Sequence, residues 1–180
     1  MNNNLFDFNS GTSTSVAFKM LDAEVVLYPS FFSGLEADLF FNELRREIIW
    51  EQEEIKMYGQ THKVPRLTAW YGDPNKVYTY SGITAHSRPW TRSLRIIKQK
   101  IEARFQVNFN SVLLNLYRAG SDSVAWHSDD EEELGGTPVI GSVSFGQQRI
   151  FQMRHKIKAC EKQNIMLNNG DFLLMKGDTQ

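Results

Sequence analysis

Residues 111–131 read SVLLNLYRAGSDSVAWHSDDE. The apolar run within 112–117 predicts a β-strand, and 124–127 predicts a second, shorter one. Because side chains alternate along a strand, His127 and Asp129 would then point to the same face. An imidazole and a carboxylate on one face are two of the three ligands of a non-haem Fe(II) site, with a later His as the third. The alternative is a loop His beside solvated acidic residues.

Further short strands are predicted on both sides of this stretch, bounded by turns that contain Gly or Pro. After it they lie at 139–145, 149–154, 164–167 and 172–175. Before it, extended segments are predicted at 24–28 and 64–71, and a turn at 72–75. The strands therefore dominate the second half of the sequence.

Two helices are predicted in the first half. Ser33 and Glu36 are placed as a capping box in front of an amphipathic helix over 34–50. Pro89 is placed in the first turn of a second helix. The buried face of that helix is predicted to contain Leu94, Ile97, Ile101 and Phe105. Helices followed by many short strands predict an α+β fold with an antiparallel barrel or jelly roll, its helices packed on one sheet.

The composition is that of an ordinary soluble protein. The 180 residues suit one structural domain, and 41% of them are hydrophobic and 23% charged. Cys160 is the single cysteine, which excludes an intramolecular disulfide and a cysteine zinc site. The sequence contains no long apolar run and no leader-like N-terminus, so we expect a cytoplasmic protein without a membrane partner. We expect residues 1–15 to form a flexible tail.

Two polar residues of the first predicted strand are candidate ligand contacts. Asn115 and Tyr117 lie two positions apart and so share a face. An amide and a phenol on one face can hydrogen-bond a small molecule that carries a carboxylate. The alternative is a cross-strand polar pair with no ligand.

Seven motifs give the sequence a resemblance to a known family. They are VPR at 64–66, YGD at 71–73, YTYSG at 78–82, NLY at 115–117, HSDDE at 127–131, SVSFG at 142–146 and RIFQMRHK at 149–156. In their order and separations they resemble the AlkB-like Fe(II)/2-oxoglutarate dioxygenases, which repair alkylated nucleic acids. The similarity is greatest to the branch that acts on duplex DNA.

The resemblance implies a double-stranded β-helix, or jelly roll, and a set of cofactor contacts. His127 and Asp129 would bind Fe(II), and Asn115 and Tyr117 would bind the co-substrate 2-oxoglutarate, with O₂ as the oxidant. Residues 16–110 would form an N-terminal helical and nucleotide-recognition region. Residues 111–180 would form an incomplete jelly-roll core, because the family's second metal His, its 2-oxoglutarate arginines and its closing strands lie beyond Gln180.

The resemblance also implies a pocket for a damaged base. Tyr78 and Tyr80 would line it, with Tyr80 stacked on the base, and Glu131 would lie near the edge of the base. Arg66 would steady the flipped-out nucleotide. A base inside a stack cannot reach a metal, so extrusion is required, and stacking on an aromatic ring offsets part of its cost. Tyrosines that pack on a core are the alternative for Tyr78 and Tyr80.

Two further segments are implied to contact DNA. Met57-Tyr58-Gly59 resembles a finger that wedges into the duplex and fills the gap left by the flipped base. Arg154, His155 and Lys156 would grip phosphates of the opposite strand, contacts that give affinity without sequence preference. The alternative for these cations is a solvated hairpin.

The function implied is oxidative demethylation of N-alkylated bases in DNA, with release of formaldehyde, succinate and CO₂. We expect a truncated chain that is impaired on its own, and an active full-length parent. The alternatives are a non-catalytic nucleic-acid-binding protein and the same oxygenase chemistry on RNA or protein. We expect a monomer, associated with the nucleoid in a bacterium or with the nucleus in a eukaryote.

Overall fold

A computed structural model describes residues 14–57, 59–74, 77–80, 83–129, 135–157 and 162–180. The strands are β1 (Val16–Met20), β2 (Ala23–Tyr28), β3 (Glu54–Met57), β4 (Gln60–Lys63), β5 (Leu67–Gly72), β6 (Val77–Tyr80), β7 (Ile83–His86), β8 (Arg88–Pro89), β9 (Ser111–Leu116), β10 (Ile140–Val143), β11 (Arg149–Met153), β12 (Gln163–Leu167) and β13 (Phe172–Lys176). The helices are α1 (Gly34–Glu47) and α2 (Arg92–Phe105). The described part of the chain is therefore a sheet-rich fold with two helices.

The described residues divide into two compact units. The first unit takes the chain up to Asp38 together with Ile140–Thr179, and the second takes Leu39–Val139 together with Gln180. The segments predicted from the sequence, 1–15, 16–110 and 111–180, stay a prediction. Among the described residues, no helix has both the length and the apolar character needed to cross a bilayer.

The first unit is built from antiparallel strands around one apolar core. Its main sheet has the order β1-β2-β13-β10, and β11 pairs with β12. The core consists of Val25, Leu27, Ile165, Leu167, Leu173 and Met175. Because β12 contributes to the same core as β2 and β13, the main sheet and the β11–β12 pair enclose it between them.

Replacement of Ile165 by Ala tests this core. Ile165 is 1% exposed, so we expect Ile165→Ala to lower the free energy of unfolding by about 2–5 kcal/mol through lost burial and a residual cavity. Urea denaturation followed by circular dichroism measures the change. The matched control is Ile150→Ala on the paired strand, because Ile150 is 56% exposed and should lose about 1 kcal/mol or less. Equal losses in the two variants would contradict the assignment of the core.

Helix α1 confirms the predicted capping box. The Ser33 N–H donates to Glu36 Oε2 at 2.8 Å, and the Glu36 N–H donates to Ser33 Oγ at 3.3 Å. The helix ends at Glu47, three residues before the predicted end at 50. The Ile49 N–H donates to the Tyr71 hydroxyl at 3.1 Å, so it no longer takes part in the helical hydrogen-bond ladder.

The predicted start of α2 was wrong. Pro89 lies in β8, a short strand that pairs in parallel with the end of β5 at the edge of its sheet. Pro is tolerated there because an edge strand does not require its missing N–H. The helix begins at Arg92, where Thr91 Oγ1 accepts a hydrogen bond from the Leu94 N–H at 3.2 Å. The predicted buried face is confirmed for Leu94, Ile97 and Ile101, and Phe105 is half-buried.

The second unit contains a three-stranded sheet of order β8-β5-β9 and the two hairpins β3–β4 and β6–β7. Strands β5 and β9 pair antiparallel, with Thr68 opposite Asn115. Gly72 lies at the end of this pairing, where a Cβ would come within 2.8 Å of the Asn110 carbonyl. The predicted strand at 124–127 was wrong, because residues 122–129 have no regular secondary structure.

Candidate functional site

His127 and Asp129 lie in an irregular segment of the second unit, residues 117–129, which we call the ligand loop. Their convergence therefore cannot come from the alternation of a strand, as the sequence predicted. The two side chains nevertheless meet, because His127 Nε2 lies 3.6 Å from Asp129 Oδ1. Both remain partly accessible, with side chains 41% and 33% exposed.

The contacts of His127 indicate which of its ring nitrogens is available to bind a metal ion. Its Nδ1 lies 2.8 Å from the Ala125 carbonyl oxygen. A carbonyl can only accept, so this contact places the proton of the neutral ring on Nδ1. The lone pair of Nε2 then faces Asp129, which is the arrangement that a metal-ligating His adopts.

The pair fits a metal ion as part of a ligand set. Two donor atoms bound to one ion at about 2.1 Å can be at most about 4.2 Å apart, and the observed distance of 3.6 Å is within that limit. An imidazole with a carboxylate suits Fe(II). Among the residues that the structure describes, no group of three or more His, Cys, Asp or Glu side chains could hold an ion. These residues thus supply two ligands of the predicted three.

Asp122 closes the beginning of the ligand loop, a feature that sequence reasoning missed. Its Oδ2 accepts from the Arg118 N–H at 2.9 Å and from Arg118 Nε at 2.8 Å, and its Oδ1 accepts from Arg118 Nη2 at 3.0 Å. The hydrogen bond with Asp122 raises the pKa of Arg118 above its ordinary value, so the guanidinium stays charged. The sequence pattern that could have predicted this contact is an Arg and an Asp four residues apart across a Gly-containing turn.

Asn115 and Arg66 are hydrogen-bonded to each other, although different roles were predicted for them. Asn115 was predicted to bind 2-oxoglutarate, and Arg66 was predicted to steady the flipped-out nucleotide. Arg66 Nε donates to Asn115 Oδ1 at 2.8 Å. Arg66 is only 6% exposed, whereas Asn115 is exposed on β9 and Tyr117 is half-buried just after that strand. Because Asn115 Oδ1 faces Arg66, the amide NH₂ of Asn115 is the group left to donate to a ligand.

The predicted nucleotide-binding residues are only partly described. Met57 ends β3, and Gly59 follows in the turn of the β3–β4 hairpin with a φ of 77°. That positive φ favours glycine at the tip. Tyr78 and Tyr80 lie two positions apart on β6. Tyr58 and Glu131 lie outside the described residues.

The predicted phosphate contacts Arg154, His155 and Lys156 lie in the first unit, directly after β11. Arg154 and Lys156 are exposed. The His155 side chain is 17% exposed, with Nε2 3.2 Å from Asp22 Oδ2. Its Nδ1 accepts from the Ile157 N–H at 3.1 Å. Both ring nitrogens of His155 are thus engaged within the protein, and its phosphate role stays a prediction.

Comparison with known proteins gives consistent matches. Residues 24–180 match the 2OG-Fe(II) oxygenase superfamily. The chain is 43% identical over 167 residues to the human alpha-ketoglutarate-dependent dioxygenase alkB homolog 3, covering 88% of the chain and 58% of that protein. It is 37% identical over 153 residues to the human DNA oxidative demethylase ALKBH2, covering 82% and 59%. The mouse ALKBH2 is 35% identical over 182 residues, covering 94% and 76%.

Proposed function

The chain belongs to the 2OG-Fe(II) oxygenase superfamily as an AlkB-like member, and we propose that it acts in oxidative removal of alkyl groups from N-alkylated bases in DNA. The family uses Fe(II), 2-oxoglutarate and O₂. The chain spans 58% of the length of the alkB homolog 3 relative, so the activity of the whole protein is part of the proposal. The observation that carries it is the 3.6 Å approach of His127 Nε2 to Asp129 Oδ1.

The proposed chemistry divides between the cofactor and the chain. When bound, Fe(II) supplies oxidation of the N-alkyl group by O₂ and 2-oxoglutarate, which for a methyl group gives formaldehyde, succinate, CO₂ and the restored base. His127 and Asp129 would hold the metal. Asn115 and Tyr117 would bind and orient 2-oxoglutarate, and the amide NH₂ and the phenol would donate to its oxygens. Arg66 would keep the Asn115 amide in the donating orientation.

Recognition of duplex DNA is a further part of the proposal. The names of the ALKBH2 relatives include DNA oxidative demethylase, which supports a DNA substrate. The β3–β4 hairpin would carry the wedge Met57-Tyr58-Gly59, and its positive-φ glycine supports a tight tip. Tyr78, Tyr80 and Glu131 would bind the extruded base. Arg154, His155 and Lys156 would contact the opposite strand.

We also propose that the sheets belong to a jelly roll. The antiparallel sheet β1-β2-β13-β10 and the β11–β12 pair share one core, which supports a double-stranded β-helix.

A monomeric state and a cytoplasmic, nucleoid or nuclear location remain proposals. Size-exclusion chromatography with light scattering tests the first, because a dimer would double the mass.

The central experiment measures formaldehyde and succinate release. The protein expressed from its complete reading frame would be incubated with Fe(II), 2-oxoglutarate and an oligonucleotide that contains 1-methyladenine or 3-methylcytosine. We expect turnover, and faster turnover on duplex DNA than on single strands or RNA. No turnover on any methylated substrate would contradict the proposed function, and a preference for RNA would move the substrate while keeping the chemistry.

A non-catalytic nucleic-acid-binding protein is the second candidate. The observation in its favour is that the described residues contain no group of three metal ligands. Binding of duplex DNA with no dependence on Fe(II) or 2-oxoglutarate, together with no turnover, would support it. Metal-dependent release of succinate would exclude it.

Replacement of Tyr80 tests the pocket for the base. Because stacking on an aromatic face contributes about 1–3 kcal/mol per base, we expect Tyr80→Ala to weaken binding of methylated duplex DNA by roughly 5- to 150-fold. Fluorescence anisotropy measures the binding. The same variant with unmodified duplex is the matched control, because an unextruded base does not need the ring. An equal loss on both duplexes would indicate that Tyr80 packs in the protein.

A further inference from the structure

We propose that Asp122 is a positioning residue for the metal pair. Through its hydrogen bonds to Arg118 it closes the start of the ligand loop and so holds His127 and Asp129 at ligand distance. This inference rests on the proposed function, because it concerns the same pair. It assigns to Asp122 no contact with metal or substrate.

The ligand loop needs such support because residues 122–129 lack the hydrogen-bond ladder of a helix or a strand. The side chains of 123–127 are also exposed. An irregular exposed segment has many accessible backbone conformations, and each ordered residue costs about 1–2 kcal/mol of conformational entropy. Hydrogen bonds at defined points must therefore select the conformation in which the two ligands meet.

Asp122 has the burial and the hydrogen bonds needed to fix the conformation at the start of the loop. It is 6% exposed, although it is charged. Its carboxylate accepts from the backbone N–H, Nε and Nη2 of Arg118 at 2.8–3.0 Å. Its own N–H donates to the Ala119 carbonyl at 3.2 Å. The turn 118–122 is thus closed by backbone and side-chain hydrogen bonds together, and the bidentate guanidinium contact makes its geometry specific.

Three further hydrogen bonds extend this closure towards the ligands. The Ser123 N–H donates to the Pro65 carbonyl at 2.9 Å, next to Arg66. His127 Nδ1 contacts the Ala125 carbonyl at 2.8 Å. The Asp129 N–H donates to Gln180 Oε1 at 3.0 Å. Asp122 lies at the start of this series, so release of its turn would loosen the chain that leads into both ligands.

Asp122 is not itself suited to be a ligand. Its two carboxylate oxygens already accept three hydrogen bonds, two of them from a guanidinium. A cation would have to displace a positively charged partner from a nearly buried site, which is unfavourable. Its effect on the metal must therefore act through the loop.

The test compares Mn(II) affinity with stability in the protein expressed from its complete reading frame. We expect Asp122→Ala and Arg118→Ala to weaken Mn(II) binding by roughly 10- to 100-fold, the range for residues that orient ligands. Electron paramagnetic resonance of free Mn(II) measures binding without turnover, and thermal unfolding followed by circular dichroism measures stability. Arg118→Lys keeps the charge and should recover part of the affinity.

The matched control is Lys98→Ala. Lys98 and Glu102 form an ion pair with the same spacing of four residues in the same unit, on α2, with Nζ 2.9 Å from Oε1. We expect Lys98→Ala to leave the Mn(II) affinity at the wild-type value. Asp129→Ala is included as the variant that should abolish binding.

The outcomes distinguish a failure of the positioning role from a failure of the proposed function. If Asp129→Ala abolishes Mn(II) binding while Arg118→Ala and Asp122→Ala bind as the wild type does, the positioning role is wrong and the proposed function stands. If Asp129→Ala binds as the wild type does, the proposed function fails. If Lys98→Ala loses as much affinity as Arg118→Ala, general destabilisation explains the loss. Should Asp122→Ala fail to fold, the comparison of Arg118→Lys with Arg118→Ala decides in the same way.

Discussion

Replacement of His127 or Asp129 by Ala is expected to abolish demethylation in the protein expressed from its complete reading frame. Each supplies one of the two donor atoms that lie 3.6 Å apart, and loss of either leaves the metal with one ligand from the described residues. The fall in kcat/KM should exceed the roughly 100-fold that loss of a ligand-orienting residue costs. Formaldehyde release from a methylated duplex measures it.

The control for this prediction is a carboxylate outside the ligand loop. Asp38 is exposed on α1. We expect Asp38→Ala to retain kcat/KM within a few-fold, because its side chain lies neither in the ligand loop nor in a segment that is proposed to contact DNA. Succinate release without DNA should also disappear in His127→Ala and Asp129→Ala, since the uncoupled reaction needs the same metal. Retained activity in either variant would remove the metal assignment.

Local rules predicted much of the secondary structure. The capping box of Ser33 and Glu36 and the apolar face of α2 depend on residues three or four apart, and both are confirmed. Strand β9 depends on a run of apolar residues and is also confirmed. The start of α2 was wrong because a Pro fits an edge strand as well as a first helical turn, and the capping by Thr91 decides between them.

The sequence predicted which residues form the candidate site, but it did not predict the loop that carries them or the hydrogen bonds that hold the loop. The sequence placed His127 and Asp129 on a strand, whereas the ligand loop is irregular. The apolar residues 124–126 resemble a strand locally, but the hydrogen bonds of Asp122 and Ser123 take the backbone along another path. The contact of Arg66 with Asn115 joins residues 49 positions apart. It follows from the register of β5 on β9, which hydrophobic periodicity does not specify.

Arg66→Ala is expected to raise the KM for 2-oxoglutarate. Because Arg66 Nε donates to Asn115 Oδ1 at 2.8 Å, its loss would free the Asn115 amide to turn its oxygen towards the 2-oxoglutarate carboxylate. A hydrogen bond that involves a charged group contributes about 1.5–3 kcal/mol, so we expect the KM for 2-oxoglutarate to rise by roughly 10- to 150-fold. Initial rates of succinate release at varied 2-oxoglutarate measure the change. Arg88→Ala is the control, because Arg88 pairs with Glu51 at the edge of the same sheet and should leave this KM unchanged.

A double-mutant cycle separates this role from direct contact with the nucleotide. If Arg66 acts through Asn115, then Arg66→Ala adds little to the KM of Asn115→Ala, because the amide that it orients is already gone. If Arg66 steadies the flipped nucleotide independently, the two effects multiply and the KM for methylated DNA rises in Arg66→Ala alone. Thermal unfolding of each variant distinguishes both cases from a loss of folding. A KM for 2-oxoglutarate that stays at the wild-type value in Arg66→Ala would show that the Asn115 amide is oriented without Arg66.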